Sequence, residues 1–234
     1  MADTANLLLP LLDAAQAQKH VTMNEALARL DALSVRAVVS VGETQPPAPV
    51  DGQSFIVGAG ATGDWAGHDG EIALALNGGW AFQAPRAGWR VFSEADHAEY
   101  LCDAVTWQVQ AIACSAGAAV TRAEILEFDQ PLSGGVVTTA VSIPDKASVL
   151  GVSARVVAEI TGATGFSLGV SGSADRYGSG FGTGLNSFAE GLTGQPQTYY
   201  GATPLEVTAL GGSFTGGTLR LAVHYQKIAP PRAV

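Results

Sequence analysis

Charge is scarce in this chain. Only 14% of its 234 residues are Asp, Glu, Lys or Arg, and 12 basic residues face 21 acidic ones, for a formal net charge of −9 and a pI near 4.7. Such a surface repels a phosphate backbone overall, so nucleic acid is not an expected partner. Cysteine is nearly absent. Cys102 and Cys114 are too few for a disulfide scaffold, and their spacing leaves pairing open; two buried thiols are the simpler expectation. Long apolar runs are missing too. The stretch Leu7 to Leu12 is broken by Pro10 and preceded by Asp3, with no basic region or cleavage pattern. Neither a signal peptide nor a membrane insertion is expected, which fits synthesis in the cytoplasm. Catalytic patterns are equally thin. His20, His68, His97 and His224 stand scattered without metal-ligand spacing, and no Gly-x-Ser-x-Gly elbow occurs. No metal, no cofactor and no catalytic residue is expected. A carboxylate pair for glycan cleavage could in principle come from Asp69 with Glu71 or Asp175 with Glu190, at separations that sequence does not supply.

Glycine, in contrast, is plentiful, with 29 residues. Set among Ala, Val and Thr, it suits short strands joined by tight turns rather than disorder. The expected class is mainly β: a helical N-terminal leader (1–34), a small Trp-rich β-module (35–95), a connector (96–123) and a C-terminal antiparallel β-sandwich, jelly-roll-like (124–234).

The leader has the strongest local signature. Thr22 and Glu25 form a Thr-x-x-Glu capping box, which places a helix start at Met23. Met23, Ala26, Leu27 and Leu30 then recur at helical spacing, giving one apolar stripe. Asp13 and Gln16 repeat the capping logic for a shorter helix over Ala14 to His20, with a bend at Val21-Thr22 between the two. Helices this short are marginal alone, so the leader must pack against its own chain or a partner. Leu12, Met23, Leu27 and Leu30 are the docking or oligomerisation candidates.

Beyond it, Val35 to Val41 is strand-like and Glu43 to Pro49 is an extended proline-rich connector. Asn77-Gly78 predicts a hairpin between Ile72–Leu76 and Trp80–Phe82, because both turn residues tolerate positive φ. Ser93 to Tyr100 reads as a helical turn. Trp65, Trp80 and Trp89 each lie beside glycine or a turn. They either form the core of a small module or present flat rings, rimmed by His68, Asp69, Gln83 and Arg90, to a sugar.

From Glu124 onward, strands are expected at Ile125–Phe128, Val136–Ile143, Val149–Ile160, Phe166–Val170, Leu205–Leu210 and Thr218–Lys227, separated by Gly- and Pro-containing turns. The last strand should bury Leu219, Leu221, Val223 and Tyr225 on one face. Between them, Tyr177 to Ser187 places a glycine at every second position. This segment is either a turn-rich loop or, if extended, a strip free of side chains. With Tyr177, Asn186, Tyr199 and Tyr200 nearby, it is the candidate carbohydrate-contact region.

The leader from Leu8 to Leu27, the Gly58–Gly63 and Trp65–Gly70 segments, Gly88-Trp89, Tyr177–Asn186 and Leu219–Tyr225 together resemble an uncharacterised family of prophages and gene transfer agents in alphaproteobacteria. The resemblance implies a head-spike or tail-fibre protein of a phage-like particle. Such a protein attaches to the host cell surface by binding capsular polysaccharide. Its partners would be that host surface polysaccharide and other capsid, spike or fibre proteins, in a symmetric homo-oligomer, a trimer or, at a fivefold vertex, a pentamer. The alternative is a purely structural adaptor without glycan binding; a polysaccharide depolymerase is a weaker one.

Overall fold

A computed structural model describes residues 4, 6, 9–11 and 19–233. The chain is mainly β, with one α-helix among the described residues, and it divides into two compact units, Met1–Val120 with Pro231–Val234, and Thr121–Pro230.

In the first unit a single helix, α1 (Lys19–Val35), runs without a break through Val21-Thr22. The expected bend is therefore absent. Val and Thr each cost a helix less than about 0.7 kcal/mol relative to Ala, and neither removes an N–H, so nothing in the sequence interrupts the ladder. The Ala14–His20 helix lies outside the described residues except for Lys19 and His20, which belong to α1. Arg29 and Glu25 pair across one turn at 2.9 Å. The helix ends where Arg36 takes φ 55, a left-handed stop usually filled by Gly or Asn.

Nine strands follow: β1 (Ala37–Val38), β2 (Val41–Glu43), β3 (Ser54–Val57), β4 (Ile72–Leu76), β5 (Gly79–Gln83), β6 (Arg90–Ser93), β7 (Ala98–Cys102), β8 (Trp107–Val109) and β9 (Ala111–Cys114). One sheet is ordered β2-β3-β4-β5 and another β1-β6-β7-β8. The β4–β5 hairpin turns at Asn77 (φ 54) and Gly78 (φ 72), with Leu76 opposite Gly79, as the Asn-Gly chemistry requires. Ser93–Tyr100 is not helical. It is the β6–β7 hairpin, because His97 adopts φ 49 and Ser93 pairs with Ala98. Residues 96–123, expected as a connector, carry β7, β8 and β9.

The core of this unit has two clusters, one around Val38, Ile56, Ile72, Leu74 and Val91, the other around Phe55, Val57, Trp65 and Ala73. A buried carboxylate also organises it. Asp31 accepts hydrogen bonds from Thr4 Oγ1 (2.9 Å), the Asn6 amide (2.9 Å) and Asn6 Nδ2 (3.0 Å), and so holds Thr4 and Asn6 against α1.

The second unit is an antiparallel sandwich of β10 (Val120–Pro131), β11 (Val136–Ile143), β12 (Ser148–Thr161), β13 (Gly165–Gly169), β14 (Phe188–Thr198), β15 (Thr203–Leu210) and β16 (Gly216–Ala229). Its strands are ordered β14-β12-β16-β10 in one sheet and β11-β15-β13 in the other. β16 alternates as its sequence demands: Leu219, Leu221, Val223 and Tyr225 are buried, while Arg220 and Gln226 are exposed. They meet Val149, Val152 and Val156 from β12, and Ile143, Phe166, Leu168, Leu205 and Val207 from the facing sheet. Each such side chain contributes about 1.5–3 kcal/mol by leaving water.

β14 is the strand without a sequence signal. Gly191, Gly194 and Pro196 depress its β-propensity, yet it pairs with β12 from Ser148↔Thr198 to Arg155↔Phe188. As the edge strand of this unit's sheet it tolerates the proline. The glycine-rich segment leading into it is a loop. Gly178 (φ 111) and Gly180 (φ 78) are left-handed, so the extended strip is ruled out and the turn-rich reading holds. The loop bridges the two sheets. Phe181 and Phe166 exchange backbone hydrogen bonds at 3.1 Å on the β13 side, and Ile160 and Val156 donate to Thr183 and Ser187 on the β12 side.

Candidate ligand-binding surface

The rings singled out from sequence have divergent fates. Trp65 is 0% exposed and packs on Phe55 (5.5 Å between centroids) and edge-on against Trp80 (5.1 Å). Its place in a sugar-binding set is corrected: a ring with no exposed face stacks on nothing outside the core. Trp80 is half-buried in the same cluster, and Trp89 packs against the Val38–Ile56 cluster, so the tryptophans act first as core. Their expected rim is also committed. The Asp69 carboxylate accepts from the amides of Gly60 (2.7 Å) and Ala61 (3.1 Å), which clamp the loop and lower its pKa. That is opposite to what a general acid at neutral pH requires. Glu71 is engaged by His68 Nδ1 at 2.8 Å, and the His68 ring stacks on Phe82 at 3.6 Å.

Tyr177 is corrected likewise. It is 1% exposed, its backbone N–H donates to Leu168, and its hydroxyl lies 2.8 Å from that of Tyr199. Burial first, then the Tyr199 hydroxyl, push its phenol well above the usual range. Tyr199 is half-buried, and Tyr200 is 85% exposed at the tip of the turn before β15.

Asn186 and Tyr200 do not share a site. β12 pairs with Thr198 at Ser148 and with Phe188 at Arg155, so the Asn186 and Tyr200 ends are separated by seven residues of β12, about 23 Å at the usual rise.

The surface assembled around Asn186 is the better developed. Strand pairing sets Phe188, Arg155 and Arg220 side by side, and in the next row Glu190, Ser153 and Ala222. All six point away from the core, because successive residues alternate between the faces of a sheet. With Glu127 they line an open hollow of about 390 Å³. Phe188 is 60% exposed, and the Arg155 guanidinium stands 5.8 Å from its ring centroid while Nη1 donates to the Asn186 carbonyl at 3.1 Å. Arg220 grips Asp129 through Nε (2.7 Å) and Nη2 (2.8 Å), the guanidinium holding that carboxyl below its ordinary pKa. Ser153 Oγ lies 2.9 Å from His224 Nε2. An exposed aromatic face, carboxylates at Glu127 and Glu190, and guanidinium donors nearby make a surface that can stack on a sugar ring and hydrogen-bond its hydroxyls. Among the described residues no cluster of His, Cys, Asp and Glu could hold a metal ion.

Sequence reasoning missed Phe188 and Arg155, and named Glu190 only as a carboxylate partner of Asp175, since nothing marks β14 as a strand or pairs it with β12. The docking candidates are partly visible: Met23 and Leu30 are about half exposed, Leu27 is half-buried, and Leu12 lies outside the described residues. Cys102 is buried, and burial raises its thiol pKa; Cys114 is partly exposed, and the two are not bonded to each other.

Residues 23–108 match a family described as "Protein of unknown function (DUF2793)". The matched stretch runs from Met23 in α1 to Gln108 in β8, inside the first unit; the sandwich lies beyond it. No curated protein matches the chain. One solved structure, titled "Bacillus endospore appendages form a novel family of disulfide-linked pili", aligns over 48% of this chain and 94% of its own at 11% identity with a TM-score of 0.22, a likeness too low to assign a fold or a role. No helix is long and apolar enough to cross a membrane among the described residues.

Proposed function

We propose that this chain is a structural component of a phage-like particle, a head-spike or tail-fibre protein, whose sandwich unit contacts polysaccharide on the host cell surface. The observation that carries the reading is the open face around Phe188. A ring left 60% exposed in the middle of charged neighbours is costly to keep in water and well suited to stack on the apolar face of a pyranose. Arg155, Glu190 and Glu127 supply donors and acceptors at its border. The resemblance of the leader to spike and fibre proteins, and the exposed Met23 and Leu30 on α1, support docking of the N-terminal unit onto other particle proteins. Symmetric self-association would multiply weak sugar contacts into firm attachment.

A purely structural adaptor is the second reading, favoured by one feature of the same surface. Leu192, 82% exposed on edge strand β14, suits a protein neighbour better than a sugar.

The test is binding of the full-length protein to purified host capsular polysaccharide by surface plasmon resonance, with Phe188→Ala and Arg155→Ala as variants. The glycan reading expects wild-type binding and at least about tenfold weaker binding by Phe188→Ala. If wild type ignores the capsule but co-purifies with another particle protein through the sandwich, the adaptor reading replaces it.

A further inference from the structure

The first unit holds a cavity of about 300 Å³ that plays no part in the proposed attachment role. Its floor is apolar, made by Val38, Ile72 and Val91, with Leu33 and Trp89 beside them and Arg36 among the lining residues. No carboxylate lines it, in a chain of net charge −9.

The polar groups around it divide into those already engaged and those left over. Ser54 donates its hydroxyl proton to the Ala37 carbonyl at 2.9 Å. Arg90 is held by Glu99 at 2.8 Å and by the Ala111 carbonyl at 3.2 Å, so its charge is compensated. The Arg36 guanidinium and the Trp89 indole N–H have no partner among the described residues. Arg36 is also an unusual choice for its position. Its φ of 55 and the 2.7 Å hydrogen bond from the Phe92 amide to its carbonyl fix a left-handed stop at the end of α1, where Gly or Asn costs less. An exposed arginine with no protein partner among the described residues thus stands on a hydrogen-bonded backbone among the residues that line an apolar-floored cavity.

We infer that this cavity binds a small monocarboxylate with an apolar body, its carboxylate taken by the Arg36 guanidinium and its apolar part lying on Val38, Ile72 and Val91 against the Trp89 ring. Guanidinium and carboxylate match as paired donors and acceptors. The volume sits at the small end of the range for ligand pockets, which limits the body to about one aromatic ring or a short alkyl chain.

Isothermal titration calorimetry of the full-length protein with phenylacetate, and with phenylacetamide as its neutral counterpart, tests this. Phenylacetate is expected to bind at least about tenfold more tightly than the amide, and Arg36→Asn, which keeps the left-handed backbone favourable, to remove that preference. The Trp89 indole N–H resonance should shift on titration with phenylacetate in wild type. No phenylacetate binding by the wild type, equal affinity for acid and amide, or an unchanged preference in a folded Arg36→Asn would overturn the assignment.

Discussion

The Tyr177 hydroxyl lies 2.8 Å from the Tyr199 hydroxyl, and this contact joins the loop after β13 to the end of β14. One member is fully buried and the other half-exposed, so the two are not equivalent. Tyr199→Phe leaves the buried Tyr177 hydroxyl without a partner and is expected to cost about 1–3 kcal/mol. Tyr177→Phe removes the buried polar group itself, leaves Tyr199 able to reach water, and should cost about 1 kcal/mol or less. Urea unfolding of both variants measures the asymmetry; equal losses would contradict it.

Gly191 makes that loop possible. A Cβ there would lie 2.1 Å from the Tyr177 carbonyl oxygen and 2.7 Å from its Cβ, whereas one at Gly194, three residues along the same strand, would meet nothing within 4 Å. Gly191→Ala must push the loop away and should destabilise the sandwich by about 1–3 kcal/mol. Gly194→Ala should be neutral or slightly stabilising, because it restricts the unfolded chain without a clash. Thermal denaturation of the two single variants separates them.

Asp103 couples stability to acid. Its side chain is 3% exposed, and burial alone would raise its pKa. The Thr106 and Val105 amides and the Gln108 and Thr106 side chains outweigh burial and hold the carboxyl well below its ordinary value, and Arg232 donates to it at 2.9 Å. A depressed folded pKa stabilises above the unfolded value, near 3.9, and the benefit falls away as pH drops below about 4. Wild type should therefore exceed Asp103→Asn in urea midpoint at pH 7, and the gap should narrow by pH 3. A gap that stays constant or widens in acid would count against this assignment.

Asp31 is expected to govern the N-terminal contact. Asp31→Ala removes the acceptor for Thr4 Oγ1 and for both Asn6 donors. Hydrogen exchange at the Asn6 amide should accelerate by at least about tenfold, since that amide then opens to water. Exchange at Val223 in the second unit should not change.

Much of the fold is legible in the sequence because it rests on local chemistry. The alternation of Leu219, Leu221, Val223 and Tyr225 fixes which face of β16 is buried, since the strand period is two whatever lies around it. Asn77-Gly78 fixes a hairpin because few other pairs tolerate positive φ twice in succession. The helix near Met23 is legible for the same reason, although its start is not: Thr22 and Glu25 suggested a cap where α1 simply continues.

The candidate surface is another matter. Trp65, Tyr177 and Phe188 are alike in composition terms, yet the first two are core and the third stands open. Exposure of a ring depends on what covers it, and the neighbours come from other elements: Phe55 of β3 and Trp80 of β5 on Trp65, Leu168 of β13 and Tyr199 after β14 beside Tyr177. β14 makes the point again, because Gly191, Gly194 and Pro196 argue against a strand that pairing with β12 nevertheless creates. Strand period, turn geometry and charge are properties of neighbours in sequence, and the sequence by itself determined them. Which aromatic faces water, and which guanidinium stands beside it, was decided only by the pairing of β12 with β14 and β16, since that register brings Arg155, Phe188 and Arg220 into one row.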